Sequence, residues 1–299
     1  MNVDFLIIGQ GLAGSLLAWY LIQKKQSVVI VDDASIDSAS LAAAGIINPV
    51  TGKRLVKSWQ VDACLPAAKQ CYLTLQQQFR TPIFHSLPVY RLFQNEQDIE
   101  LWQLRSSENA YADYLGDRLP PQGSSGLENP LGGFLIKGSG YINTALLLQQ
   151  LREHYAAHNQ YIDARFHYDE LQIKTAAVQW REIEANTVVF CEGFAATQNP
   201  WFSWLPMQPV QGEILSLKVS GSLPDKIISA GKWLLPIGNN QIKVGATYQW
   251  RPLDQKPTSQ GRTQLLQALQ RLLPEVRVMD VLQHSVGVRP ASLDKKPLM

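Results

Sequence analysis

The chain has 299 residues, enough for about two domains at roughly 150 residues each. Hydrophobic residues make up 45% and charged residues 17%, a balance that excludes long disorder and coiled coil and predicts a largely buried chain. Lysine and arginine number 27 against 25 acidic residues, net +2 with no block of like charge, so nucleic acid is not an expected partner.

Residues 3–8 form an unbroken, β-rich apolar run, the pattern of a strand covered on both faces of a parallel sheet. Leu12, Leu16, Trp19 and Ile22 then recur at helical spacing, and Lys24-Lys25-Gln26 closes the helix with a basic, polar end. Apolar residues extend over 3–22, but the glycines at 9, 11 and 14, Asp4 before the run and the lysines after it argue against a membrane span or signal peptide. Residues 27–31 (SVVIV) read as a second buried strand ending in Asp32-Asp33, which completes a β-α-β unit with a right-handed crossover.

Residues 35–51 are Ala-rich and irregular, a loop or short helix lining a site. A helix is predicted over 59–79, with Ala63, Cys64, Ala67, Ala68, Cys71, Tyr72, Leu75 and Phe79 on one stripe and both cysteines as small core residues. Residues 82–93 read as one extended strand and 96–105 as a surface helix, and 120–133 (PPQGSSGLENPLGG) carries the strongest loop signal. A strand at 134–137, a helix near 143–158 and three or four short strands over 161–191 follow, the last of them running into Glu192-Gly193. Four strands over 213–247 sound antiparallel, a helix is predicted at 261–273, and a final strand at 276–288 leads to Arg289-Pro290. The three cysteines, Cys64, Cys71 and Cys191, have neither disulfide-framework nor metal spacing, which predicts a reducing, cytoplasmic compartment. The histidines likewise show no ligand spacing, and no metal site is expected.

Gly9-Gln10-Gly11-Leu12-Ala13-Gly14 is a G-x-G-x-x-G between a strand and a helix. The first glycine permits a tight turn, the second lets backbone approach a pyrophosphate, and the third lets helix pack on strand. Leu12 and Ala13 then present N–H groups at a helix N-terminus, where negative charge is favoured. Asp32, some twenty residues on with Asp33 beside it, is placed to accept both ribose hydroxyls of an adenosine, and its charge opposes a 2′-phosphate. Spacing alone leaves NAD and FAD both open.

The segment Ser38-Ala-Ser-Leu-Ala-Ala-Ala-Gly45-Ile-Ile-Asn-Pro49 resembles the stretch that follows the ribose-binding carboxylate in the D-amino-acid-oxidase-like family of FAD enzymes, the glycine and sarcosine oxidase type. Further resemblances follow in family order: Gly138-Ser-Gly-Tyr-Ile, Val188 to Gly193, Pro209-Val-Gln-Gly212, Val244-Gly-Ala-Thr247, and Gly287-Val-Arg-Pro290 with Asp294 and Pro297. The family implies an α/β fold: a Rossmann-like FAD-binding domain (1–47, 138–206 and 285–299) with an inserted, mostly antiparallel β-sheet substrate domain (48–137 and 207–284). It implies FAD as cofactor, Ala39 and Ser40 at the phosphates, Ala44, Gly45 and Ile46 along the flavin ring, Gly193 at the cofactor, and Arg289 holding a substrate carboxylate.

Two departures bear on this. Trp233 stands where related oxidases place a carboxylate-binding tyrosine, and an indole donates one hydrogen bond but accepts none, so Trp233 and Tyr248 are both substrate-site candidates. Family members also continue beyond the D-x-x-P element through a flavin-covering segment that is expected to be missing after Met299. The implied activity is oxidation of the C–N bond of a small amine or amino acid, with oxygen or another acceptor taking the electrons. The alternatives are an FAD-binding protein without turnover and a tRNA-modification-type oxidoreductase of the same family.

Overall fold

Strand Asn2–Ile8 lies inside a six-stranded sheet, and that position accounts for its apolar run, since Leu6 and Ile7 are buried on opposite faces. In the computed structural model, which describes residues 1–34, 38–121, 126–294 and 296–298, this strand pairs in parallel with Val28–Asp32 on one side and Ile183–Phe190 on the other. Tyr161–Asp163 adds a parallel strand outside Val28–Asp32, while Val178–Trp180 and Leu171–Ile173 continue antiparallel beyond Ile183–Phe190. Helix Leu12–Gln23 makes the predicted crossover and packs with helix Thr144–Ala157 over Ile7, Ile30, Leu147 and Leu151. The Tyr155 hydroxyl ties the two helices by donating to the Ser15 carbonyl at 2.7 Å.

The second large sheet has eight strands in the order Arg277–Arg289, Val210–Ser220, Gln241–Gly245, Lys232–Gly238, Ile227–Ala230, Val89–Leu92, Gly133–Ile136 and Leu115–Leu119. All neighbours are antiparallel except Ile227–Ala230 with Val89–Leu92. Helix Ser259–Leu272 covers one face through Leu265, Leu269 and Leu272. The opposite face, with Ile214, Trp233 and Leu235, packs toward Ala44, Ile46, Val50 and Leu55 from the chain that leaves the first β-α-β unit. Ile46–Ile47, Gly140–Ile142 and Phe84–Ser86 form a small antiparallel sheet beside them.

Two expectations need correction. Residues 82–93 are two strands in different sheets, Phe84–Ser86 and Val89–Leu92, separated at Leu87-Pro88, where proline has no N–H to continue a ladder. In helix Val61–Phe79 the buried positions are Val61, Leu65, Cys71 and Leu75, while Cys64, Ala63 and Ala67 are exposed. The large residue Leu65 takes the inward position in that turn, so Cys64 is turned to its flank. Residues 35–37 and 122–125 of the two predicted loops lie outside the described residues. The neighbouring Ala39–Ala42 is a short helix. Among the described residues no helix is long and apolar enough to cross a membrane.

Candidate active site

The chain turns sharply at the end of Asn2–Ile8. Gly9 has φ +101°, which side chains rarely adopt, and a Cβ there would meet the Cys191 carbonyl oxygen at 2.5 Å. Gly14 packs so closely on the turn that a Cβ would run into the Gly9 carbonyl. Gly11 differs from both: its φ is −70°, and an added Cβ would meet nothing nearer than the Ser40 Oγ at 3.2 Å. Gly11 opens helix Leu12–Gln23 without a side-chain cap, and the Ser40 hydroxyl accepts from the Leu12 N–H instead, at 3.2 Å. A helix start with its first-turn N–H groups, Leu12 and Ala13 among them, beside an open backbone has donors that could hold an anion.

Asp32 is fixed on this turn. Its Oδ2 accepts from the Gln10 N–H and its Oδ1 from the Ala34 N–H, both at 2.8 Å. Each oxygen keeps a further lone pair for a hydroxyl donor. Asp33 follows it and is exposed. The Gln10 side chain, 3% exposed, donates to Ser15 Oγ and the Leu148 carbonyl and accepts from Arg152 Nε at 2.7 Å. The Arg152 guanidinium stands 3.9 Å from Asp32 Oδ1. Sequence reasoning missed Gln10 and Arg152, because the fold alone brings helix Thr144–Ala157 to the turn.

The Ala39–Ala42 helix starts at Ser38, whose Oγ accepts from the Ser40 N–H at 3.2 Å. It rests directly on strand Arg277–Arg289, where a Cβ on Gly287 would lie 3.0 Å from the Ala42 Cβ and 3.1 Å from the Ala39 Cα. Ala44 is buried, and Gly45 has φ +73° with its Cβ position filled by the Ile142 carbonyl. Ile46 pairs with Tyr141. Gly193, φ +57°, starts a short turn of helix on the other side of the glycine turn, with open space where a Cβ would project. Burial, with Glu192 beside it, pushes the nearby Cys191 thiol up to about 11, so it stays a protonated packing group.

The register places Arg289, Gly287, Gly212, Ile214, Gly245 and Trp233 on the sheet face turned toward this loop. The Arg289 guanidinium lies across Gly212, where a Cβ would run into both terminal nitrogens. It sits 4.6 Å over the Tyr248 ring, and its Nη1 is buried without a hydrogen-bond partner among the described residues. Asp294, five residues on in the same motif, accepts from the Ser292 hydroxyl and the Lys296 N–H, both at 3.1 Å. The Trp233 indole covers Gly245 in the same manner. Tyr248 is 69% exposed and offers Arg289 its ring.

Two lysines here escaped sequence reasoning. Lys232 Nζ donates to the Ala246 carbonyl at 2.7 Å, and burial together with the Arg289 charge holds its pKa below the usual lysine range. Lys243 shares the face of Gly245, and burial lowers its pKa too. The available signals were a lysine opening the apolar run Trp233 to Ile237 and a lysine between Ile242 and Val244. The nearest acidic side chain along the Gly212 strand, Glu213, is 1% exposed and faces the other way. It accepts from the Thr258 N–H at 3.0 Å and the Thr258 hydroxyl at 2.7 Å, and His284 Nε2 lies 2.7 Å from it.

The arrangement thus runs from helix-start N–H groups and a carboxylate that could hold a phosphate and a diol, along a cradle of alanine and glycine, to a guanidinium with no carboxylate in ion-pair distance among the described residues. Among the described residues no group of histidine, cysteine and carboxylate side chains is placed to hold a metal. The family model described as FAD dependent oxidoreductase matches residues 4–299. Glycine oxidase of Pseudomonas putida is 24% identical over 316 residues, covering 99% of this chain and 85% of the relative. The tRNA 5-methylaminomethyl-2-thiouridine biosynthesis bifunctional protein MnmC of Marinobacter nauticus is 24% identical over 313 residues, 98% of this chain and 48% of that protein. Among solved structures, glycine oxidase from Geobacillus kaustophilus has the same fold, with TM-score 0.84 and 18% identity over all of this chain and 85% of that one. The chain belongs to the D-amino-acid-oxidase-type family of FAD-dependent oxidoreductases.

Proposed function

We propose that this oxidoreductase oxidises the C–N bond of a small amino acid whose carboxylate pairs with Arg289. The observation that carries the reading is the buried, unpartnered Nη1 of Arg289, beside the strand position where the Ala39–Ala42 helix packs. A guanidinium matches a carboxylate with two parallel hydrogen bonds, and Gly212 leaves room for that geometry.

In this reading the glycine turn fits FAD. Gly9, Gly11 and Gly14 shape the pyrophosphate site with the Leu12 and Ala13 N–H groups, and Asp32, with Asp33 next to it, takes the ribose. Ala39 and Ser40 serve the phosphates, Ala44, Gly45 and Ile46 line the ring, and Gly193 leaves space at the turn. Residues 1–47, 138–206 and 285–299 form the cofactor domain, and 48–137 and 207–284 the substrate domain. When bound, FAD supplies a two-electron acceptor that oxygen or another oxidant regenerates.

The chain's own groups do the positioning. Arg289 orients the substrate by its carboxylate, and Tyr248 holds the guanidinium from the solvent side. Trp233 walls the site and offers one donor. The substrate loses hydride from the carbon next to nitrogen and a proton from nitrogen, and water then hydrolyses the resulting imine. Similarity to the tRNA biosynthesis protein supports a second reading with an amine carried on tRNA, but a net charge of +2 without a basic block favours a small molecule.

The test is anaerobic mixing of the purified flavoprotein with small amino acids. The reading expects bleaching of the flavin band by at least one of them. A protein that carries flavin yet is reduced by none would be a binding protein, and one that takes up no flavin would overturn the cofactor reading.

A further inference from the structure

We propose that Arg152 is a ligand of the cofactor itself, donating to a hydroxyl of the adenosine ribose that in turn donates to Asp32. The proposal rests on the reading of Asp32 as the ribose carboxylate. Arg152 belongs to helix Thr144–Ala157 and meets the glycine turn through the buried Gln10 side chain, whose Oε1 accepts from Arg152 Nε at 2.7 Å. Gln10 cannot yield, because its Nε2 donates to Ser15 Oγ at 3.1 Å and to the Leu148 carbonyl at 3.0 Å. The guanidinium is thereby fixed with a terminal nitrogen toward Asp32, Nη2 standing 3.9 Å from Oδ1.

That distance is too long for a hydrogen bond. Asp32 is not free to close it: the Gln10 and Ala34 N–H groups hold its two oxygens at 2.8 Å, and the Tyr161 hydroxyl donates to its carbonyl at 3.0 Å. The turn, the helix and strand Tyr161–Asp163 thus keep a carboxylate and a guanidinium one atom apart. The gap suits a single oxygen with a hydrogen bond of about 2.8 Å to each side. That oxygen must donate to the carboxylate and accept from the guanidinium, which selects a hydroxyl, since an ionised phosphate cannot donate and an amide N–H cannot accept. Among the described residues no hydrogen-bond acceptor takes the terminal nitrogens of Arg152, and its side chain is 31% exposed, open to a ligand lying along the turn. Both bonds to such a hydroxyl are charge-assisted, so affinity depends on each charge.

The test is titration of the full-length chain, stripped of flavin, with FAD and with the FAD analogues whose adenosine ribose lacks the 2′- or the 3′-hydroxyl, read by flavin fluorescence. Wild type should bind FAD about tenfold tighter, or more, than one of the analogues. Arg152→Ala should weaken FAD about tenfold but that analogue less than about threefold, because the hydroxyl it serves is already gone. Gln10→Met removes the brace and keeps the guanidinium, so it should weaken FAD and both analogues by the same factor. Arg152→Lys should recover part of the FAD affinity. An equal loss on FAD and both analogues in Arg152→Ala leaves the residue a brace for Gln10 and overturns the proposal, as does undiminished FAD binding. If wild type distinguishes FAD from neither analogue and Asp32→Ala binds FAD as wild type does, the ribose lies elsewhere and the reading of Asp32 fails too. Should Arg152→Ala not fold, Arg152→Gln, whose amide keeps a donor for Gln10, carries the same comparison.

Discussion

Gly11 and Gly14, three residues apart, answer to different demands, and substitution separates them. A Cβ at Gly14 has no space against the Gly9 carbonyl, so Gly14→Ala should cost about 2–4 kcal/mol of stability, read from denaturant unfolding. At Gly11 the backbone is ordinary and only Ser40 Oγ is near, so Gly11→Val should fold with a melting temperature close to wild type and yet purify without flavin. A fully flavinated Gly11→Val would move the pyrophosphate elsewhere. Asp32→Ala should weaken FAD by about 1.5–3 kcal/mol through lost charge-assisted hydrogen bonds, measured by titrating the apoprotein. The Gln10 and Ala34 N–H groups that hold this carboxylate also lose their acceptor, so the variant turn should exchange its amide protons faster.

Among the elements, the strand carrying Gly212 shows how a sheet face prepares a site. Glycines at 212, 245 and 287 leave the face bare where Arg289, Trp233 and the Ala39–Ala42 helix lie upon it. Gly212→Ala should therefore displace the guanidinium without removing its charge and lower carboxylate affinity about tenfold or more, a result that affinity titration of a folded variant would check. The hairpin Val50–Thr51 and Val56–Lys57 is held by a different device. Asp62 accepts from Lys57 Nζ at 2.6 Å and from the Tyr114 hydroxyl at 2.7 Å, and these two donors, Lys57 first, hold its carboxyl below the usual 3.8. Because the folded value is the lower one, this contribution is complete above 3.8 and is lost as pH falls through the folded value. Tyr114→Phe should shift acid unfolding to higher pH, followed by tryptophan fluorescence. An unchanged acid midpoint would mean that the link carries no stability. Strand existence was readable from composition in both sheets, but the break at Pro88 depended on which sheet each half joins, and the exposure of Cys64 on which neighbour took the inward position.

For the whole molecule, what could be read from the chain divides along sequence distance. The β-α-β unit is local, so its glycine turn and the place of Asp32 at the end of the second strand were legible before any fold was known. Arg152 bracing Gln10, the Ala39–Ala42 helix resting on Gly287, and Arg289 lying over Gly212 all join residues far apart in sequence, and strand spacing carries no record of such meetings. The role of Arg289 came from resemblance, whereas its buried, unpaired Nη1 and the engagement of Asp294 elsewhere are properties of the fold. The central claim is that this guanidinium holds the substrate's carboxylate, and the most direct measurement is kcat/KM for Arg289→Ala with flavin content verified by absorbance. The account predicts a normal flavin spectrum, a loss of about 10² or more on an amino acid, partial recovery with Arg289→Lys, and a much smaller loss on an amine without a carboxylate. An equal loss on both substrates, or none on the amino acid, would contradict it.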